Sequence, residues 1–313
     1  MLKSMNKNLV VVLTGPTGVG KTGVSLELSK LIKKVEIVSS DSMAIYKSMD
    51  IGTSKPAQDI RLKIPHHMID IVNYSDSFDV AEYVERASEI IDSIISRDST
   101  PLVVGGSLMY LYSLLDGIFK GPSRNNKIRA RLVKRAEDSG LSELYSELKR
   151  FDPEAAEKIH PNDLRRVIRA LEVYELTGDK ISELKREKSG ISLKYNVAMY
   201  ALHQKRDKLY EEIDRKVDEM LSAGLVQEVE SLASKISLTA YQGAGYKELI
   251  GYIKGEYDLG EAVRLIKRNS RRFGKRQLSW LKRDKRIKWI DISGFNSNLS
   301  VAQSIFEDLS RII

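Results

Sequence analysis

Residues 9–22 read LVVVLTGPTGVGKT, and this stretch decides the fold. Leu9 to Leu13 is an apolar run of strand length, and Thr22 to Lys34 reads as a helix with Val24, Leu28, Leu31 and Ile32 on one side. Between them, Gly15-Pro16-Thr17-Gly18-Val19-Gly20-Lys21-Thr22 fits GxxxxGK(S/T) in the strand, loop and helix context that this pattern needs. Glycines let backbone N–H groups close round a phosphate, and the helix start adds its positive end. Lys21 supplies a point charge and Thr22 a hydroxyl for Mg2+. The motif predicts a bound diphosphate or triphosphate.

Outward from the loop, strands alternate with helices. Val35 to Ser39 reads as a second strand, and Val80, Tyr83, Val84, Ala87, Ile91, Ile94 and Ile95 recur at helical spacing. Leu102 to Val104 is a short strand followed by Gly105-Gly106 and an apolar helix reaching about Asp116. This pattern predicts an α/β fold, a P-loop NTPase-like parallel sheet flanked by helices. From Gly121 to about Lys188 strand-like runs disappear, and helices are expected around Ile128 to Arg150, Glu154 to His160 and Asp163 to Thr177, the last ended by Gly178. We therefore expect a first core segment at 1–120, an all-helical insertion at 121–190, and core completion at 191–313. The last segment should carry a strand at Val197 to Leu202 and helices at Arg206 to Ala223, Val226 to Ile236, Tyr246 to Lys254 and Glu261 to Lys282. A strand near Arg286 to Ile292 and a helix from Val301 end it.

A motor or switch NTPase needs a carboxylate at the end of a later strand, to hold metal for water attack on a γ-phosphate. Here Leu102-Val103-Val104 runs into Gly105-Gly106 instead. The nearest comparable carboxylate is Asp41, at the carboxyl end of the second strand, where open α/β sheets place ligand-contacting groups. Asp41 can bind metal, act as a general base, or simply cap a turn in Ser39-Ser40-Asp41-Ser42. Adjacent His66 and His67 match no common metal-ligand spacing, which favours packing or loop hydrogen bonding. Tyr46, Met49, Tyr110 and Tyr112 have the chemistry to stack on a base, but half-buried core is the commoner role.

Composition narrows the classes further. The chain has 313 residues, 42% hydrophobic and 30% charged, which excludes wholesale disorder, and no cysteine, which excludes disulfides and thiolate chemistry. The first apolar run breaks at Gly15, too early for a signal-peptide core or a membrane span, so a cytoplasmic protein without membrane contact is expected. Net charge is +8. Residues 264–288 hold twelve Lys or Arg against the single acid Asp284, so the rest of the chain is slightly acidic. Arg264, Lys267, Arg268, Arg271, Arg272 and Lys275 form a cationic ridge at helical spacing, with Phe273 and Trp280 interleaved, suited to phosphate backbone and stacking. Smaller basic groups stand at Arg124 to Arg135 and at Arg165, Arg166 and Arg169.

Seven blocks carry a resemblance that runs from about Leu9 to Asp291. They are GPTGVGKT, DSMAIYKSMDIGTSKP from Asp41, IPHHMID, VVGGSLMYL, DPEAAEKIHPNDLRRVIRALEVYELTG, QGAGYKEL and RRFGKRQLSW. The chain resembles the bacterial tRNA dimethylallyltransferases, also called tRNA isopentenyltransferases. That resemblance implies transfer of a dimethylallyl group from dimethylallyl diphosphate to N6 of the adenine just 3′ of the anticodon, with release of diphosphate and with Mg2+ held at Thr22. It implies that Asp41 accepts the N6 proton, that Lys21, the loop amides and Thr22 stabilise the leaving group, and that Thr17 and Arg206 belong to the catalytic set. Contacts to the tRNA anticodon stem-loop carry over to Asp41, Ser42, Met43 and Ala44, to Ser107, and to Arg165, Arg166, Val167, Ile168 and Arg169. They also carry over to Tyr246 and Lys247 and to Arg271, Arg272, Lys275, Arg276 and Gln277. The target base would leave its stack to enter the core, with the insertion gripping the stem-loop and the protein acting as a monomer.

This chain departs from the family pattern in places. Ser107-Leu108 replaces Thr-Gly, Ala44 replaces a frequent Gln, and Glu212 and Lys216 stand where two arginines are usual, with Arg215 adjacent. Two rival functions remain at this stage: an adenylate isopentenyltransferase acting on free nucleotide, which has little use for the basic ridge, and an RNA-binding NTPase switch, which needs the missing strand-end carboxylate.

Overall fold

The computed structural model describes residues 8–119, 121–184 and 190–312. They form two compact units, one made of the chain up to Leu115 together with Ile191 onward, the other of Asp116–Gly190.

In the first unit six strands make one sheet: β1 (Leu9–Thr14), β2 (Val35–Ser39), β3 (His66–His67), β4 (Thr100–Val104), β5 (Asn196–His203) and β6 (Ile287–Asp291). Their order is β3-β2-β4-β1-β5-β6, and every pairing is parallel. All of β1 is buried. Alternation along it sends Val10 and Val12 into one core and Leu9, Val11 and Leu13 into the other. A strand covered on both faces has no solvent side, and an unbroken apolar run is the result.

On the first part of the chain α1 (Lys21–Leu31), α2 (Gln58–Lys63), α3 (Val80–Ser96) and α4 (Leu108–Asp116) follow the strands. Val24 and Leu28 of α1 pack on one face, Tyr83, Ile91 and Ile94 of α3 and Leu111 and Leu114 of α4 on the other. A capping box between Asp79 and Glu82 starts α3.

The second unit holds α5 (Asn126–Ser139), α6 (Leu141–Phe151), α7 (Pro153–Lys158), α8 (Leu164–Thr177) and α9 (Ile181–Leu184) round a core of Leu132, Leu144, Leu148, Val167, Ile168 and Leu171. Gly140 breaks the apolar periodicity of Ile128 to Arg150 into two helices, ending α5 and starting α6 at φ +86°. α8 ends at Gly178 in the left-handed region, as its position predicts. Glu172 is fully buried on α8. It accepts from Arg129 (2.8 Å to each oxygen), Arg169 (2.7 Å) and the Asn125 N–H (2.7 Å). Burial alone would raise its pKa, but the two guanidiniums hold it down at about 2.

The chain then completes the first unit with α10 (Arg206–Ser222), α11 (Leu225–Leu232), α12 (Tyr246–Ile253), α13 (Leu259–Leu281) and α14 (Asn298–Ile312), the last packed on α1. Asp258 caps α13, accepting the Glu261 N–H at 2.7 Å. β3 escapes a periodicity reading because two residues carry no period. It forms the sheet edge, where His67 Nε2 meets Glu36 Oε2 at 2.7 Å and Arg97 clasps both Glu36 oxygens at 2.7 and 2.6 Å. His66 Nδ1 lies 2.6 Å from the Ile64 carbonyl oxygen, so both histidines make local hydrogen bonds; no group of three or more metal-ligating side chains occurs among the described residues. Among those residues, too, no helix is long and apolar enough to cross a membrane.

Candidate active site

The loop after β1 opens, through Thr17, Gly18, Gly20, Lys21 and Thr22, onto a cavity of about 590 Å3. Lys21 is the first residue of α1 and donates to the carbonyls of Gly15 (3.0 Å) and Pro16 (2.7 Å). Burial first, and the like charge of Lys216 second, depress its pKa to about 7, against the opposing pull of Asp41. Lys216, on α10, is lowered by burial too, with Asp41 again acting upward. Lys21 and Lys216 therefore lie with Asp41 on this cavity, whose lining also holds Arg215, Glu212 and Glu219.

Asp41 lines the same cavity. Its Oδ1 accepts the N–H groups of Met43 (2.8 Å) and Ala44 (3.4 Å), while among the described residues Oδ2 receives no hydrogen bond. Turn cap and reactive carboxylate are thus compatible in one side chain, with one oxygen for each task. Beside it the Ser42 N–H donates to Ser107 Oγ (2.9 Å), which in turn donates to Ser42 Oγ (3.0 Å). Ala44 is buried.

β4 ends in two glycines for a steric reason. A Cβ at Gly105 would overlap the Ser40 carbonyl, so no aspartate fits where a metal-holding carboxylate would stand in an NTPase. The neighbouring Gly106 carbonyl accepts from Gln277 Nε2 at 2.7 Å, and Gln277 Oε1 accepts the Thr17 N–H at 2.8 Å. Gln277 is 3% exposed and braces the phosphate loop against the end of β4. It also lines the cavity, so the bracing role stands beside its expected contact with the tRNA. Gly274, one turn earlier on α13, lies against Pro16 and Thr17.

Opposite the loop, Gly52, Thr53 and Ser54 form a wall. Glu228 of α11, which carries no motif, holds that wall. It accepts the N–H groups of Asp50 (2.8 Å), Ile51 (2.7 Å) and Gly52 (3.1 Å) and the Tyr246 hydroxyl (2.5 Å). A Cβ at Gly52 would strike the Tyr246 ring at 2.5 Å. Tyr246 is completely buried, so its expected tRNA contact is corrected: the ring supports the wall, and its neighbour Lys247 is the exposed one.

Further expectations about charge need correction. Arg206 does not line the phosphate-loop cavity; it lines a separate cavity and lies over the Tyr210 ring at 5.1 Å. Lys216 and Arg215 line the phosphate-loop cavity instead, with Arg215 clasped by Glu212 and Glu219. On the ridge, Arg264 pairs with Glu261, Lys267 with Asp218, and Arg271 with Asp214 at 2.5 Å. Arg272, Lys275 and Arg276 are exposed, and among the described residues none has a carboxylate partner. In the second unit Val167 and Ile168 are core residues and Arg169 is committed to Glu172, so of that block only Arg165 and Arg166 offer side chains at the surface. Arg129, Arg131 and Arg135 are likewise paired with glutamates. Tyr46, Met49 and Tyr110 are core. Tyr112 stacks on Trp280 at 5.9 Å.

Residues 44–284 match the family model described as IPP transferase. The tRNA dimethylallyltransferase of Halothermothrix orenii is 47% identical over 292 residues, covering 92% of this chain and 88% of the relative. That of Natranaerobius thermophilus is 44% identical over 289 residues, covering 91% and 86%. Among solved structures, the full-length tRNA isopentenylpyrophosphate transferase of Bacillus halodurans is similar with a TM-score of 0.71 at 36% identity, over 98% of this chain and 99% of that one. A eukaryotic dimethylallyltransferase acting on tRNA gives a TM-score of 0.77 at 30% identity, over 95% of this chain and 78% of that one. With these matches along nearly its whole length, and a phosphate loop facing Asp41 across one cavity, the chain belongs to the IPP transferase family.

Proposed function

We propose that this protein transfers the dimethylallyl group of dimethylallyl diphosphate to N6 of the adenine 3′-adjacent to the anticodon in tRNA. The observation that carries this reading is the pairing of a phosphate loop with Asp41 in one cavity, while β4 ends in glycines that exclude an NTPase carboxylate. Carbon is then the electrophile. The N6 lone pair forms a bond to C1 of the allyl group, the C1–O bond breaks, and diphosphate departs with that electron pair. An exocyclic amine is a weak nucleophile because its lone pair is delocalised, so a carboxylate that takes the N6 proton as charge develops assists it. Asp41 Oδ2 is the oxygen free to do so, with Oδ1 holding the turn.

Lys21, the loop N–H groups and Lys216 neutralise the departing diphosphate. A lysine there is a point charge and not a bidentate fork. The donor set fits a magnesium ion held mainly by the diphosphate and water: Thr22 offers a hydroxyl in the cavity, and Mg2+ prefers few protein ligands. When bound, the ion supplies charge neutralisation at the diphosphate oxygens. Arg272, Lys275 and Arg276 of α13, Lys247, and Arg165 and Arg166 of the second unit serve the tRNA, whose target base turns out of its stack to reach Asp41. The protein works as a monomer in the cytoplasm.

Radiolabelled dimethylallyl diphosphate, incubated with Mg2+ and either an anticodon stem-loop or AMP, tests the reading, with ATP hydrolysis measured in parallel. Label should enter the stem-loop. Label in AMP alone would make the protein an adenylate isopentenyltransferase, and ATP turnover without transfer would make it a switch.

A further inference from the structure

A second cavity of about 560 Å3 lies in the same unit, at the carboxyl ends of β5 and β6, and shares no lining residue with the phosphate-loop cavity. Its rim is cationic, with Arg206 from the start of α10, Lys275 from α13 and Lys282 at the C-terminal cap of α13. Its aromatic side is made by His203, Tyr210 and Trp289, and Leu209 and Leu278 complete an apolar floor. Arg206 lies over Tyr210, and His203 meets Trp289 edge-on at 5.5 Å. Among the described residues no carboxylate pairs with Arg206, Lys275 or Lys282. Charge of that kind, held beside an apolar, aromatic hollow, matches a nucleotide: phosphate for the cations and a base for the rings. The volume falls within the range of small-molecule sites.

Position selects the form in which that nucleotide arrives. On α13, Gly274 and Gln277 face the phosphate loop, while Lys275, Leu278, Ser279 and Lys282 recur at helical spacing on the face that lines the second cavity. One helix thus borders both cavities, and it carries exposed Arg272, Lys275 and Arg276.

We propose that this second cavity is a subsite for another unpaired nucleotide of the same RNA strand, its base stacked against Trp289 and Tyr210 and its phosphate held by Arg206, Lys275 and Lys282. The inference rests on the tRNA reading of the active site and adds a position at which the loop beyond the target base is gripped. It gives Arg206, absent from the phosphate-loop cavity, a task in RNA positioning.

The chain has two tryptophans, Trp280 and Trp289, so Trp280→Phe leaves Trp289 as the single reporter. Titration of that variant with an anticodon stem-loop should quench Trp289 emission and shield it from acrylamide, with binding followed independently by filter retention. Arg206→Ala combined with Lys282→Ala should weaken stem-loop binding at least tenfold and reduce the slope of log K against log salt by about one to two. Inorganic diphosphate should bind that double variant as tightly as the parent, which also shows that the variant folds. Stem-loop binding with Trp289 emission unchanged, or full affinity in the double variant, would overturn the subsite and leave the transfer reading standing. Quenching by AMP alone at the same affinity as by the stem-loop would reassign the cavity to a free nucleotide. Absence of stem-loop binding altogether would remove both readings.

Discussion

At the scale of single residues, Asp41 divides its work between two oxygens. Asp41→Asn keeps an acceptor for the Met43 N–H and removes the proton acceptor, so turnover should fall roughly 100-fold or more with RNA affinity retained, measured by single-turnover transfer and filter binding. An unchanged rate would remove Asp41 from the chemistry. Lys21, lowered to about 7 from 10.5 in the unfolded chain, makes two sign-definite predictions. Diphosphate binding at pH 8 should take up protons, because the anion restores the charged ammonium; calorimetry in buffers of different ionisation enthalpy reads this directly. Between pH 7 and 10.5 the unfolded chain binds more protons at this group than the folded one, so Lys21 makes stability rise with pH across that window. Lys21→Met should flatten the rise in denaturant titrations.

At the scale of elements, two devices shape the cavity. Glu228 on α11 gathers three consecutive N–H groups, and Glu228→Gln puts an amide N–H against them. We expect the KM for dimethylallyl diphosphate to rise severalfold, kcat to change less, and amide exchange at Asp50 to Gly52 to accelerate. Unchanged exchange would show that the wall stands without its anchor. On α13, Arg272→Ala with Arg276→Ala should lower the salt slope of RNA binding by about two, because both are exposed without carboxylate partners, while Arg271→Ala acts through Asp214. The helix itself was legible, from Glu261 to Lys282, with its basic residues at helical spacing. The pairing of Lys267 and Arg271 with carboxylates was not, since Asp218 and Asp214 lie on a different helix, far along the chain, whereas Arg264 pairs with Glu261 within α13. Glu228 had no local pattern at all: its role depends on four groups brought together by the fold.

For the molecule as a whole, the strand, loop and helix of residues 9–31 predicted the sheet correctly because a phosphate loop constrains its flanks and both faces of β1 demand apolar side chains. The helical nature of residues 126–184 was equally legible. What the sequence concealed there was pairing: Arg129, Arg131, Arg135 and Arg169 are each held by a glutamate, and Glu172, the partner of Arg129 and Arg169, is buried. Glu172→Ala leaves Arg129 and Arg169 without their buried partner and should destabilise the protein by about 3–5 kcal/mol, seen as a lower Tm. Because the carboxyl titrates near 2 when folded and 4.5 when unfolded, its stabilisation is complete above pH 4.5 and is lost as pH falls toward 2.

The central claim is that the phosphate loop serves a departing diphosphate and that carbon, not phosphorus, is attacked. Its most direct test is the stoichiometry of products when the protein, dimethylallyl diphosphate and an anticodon stem-loop react to completion. One diphosphate should appear for each dimethylallyl group found on the RNA, with no orthophosphate; orthophosphate in proportion to turnover, or diphosphate without modified RNA, would contradict the claim.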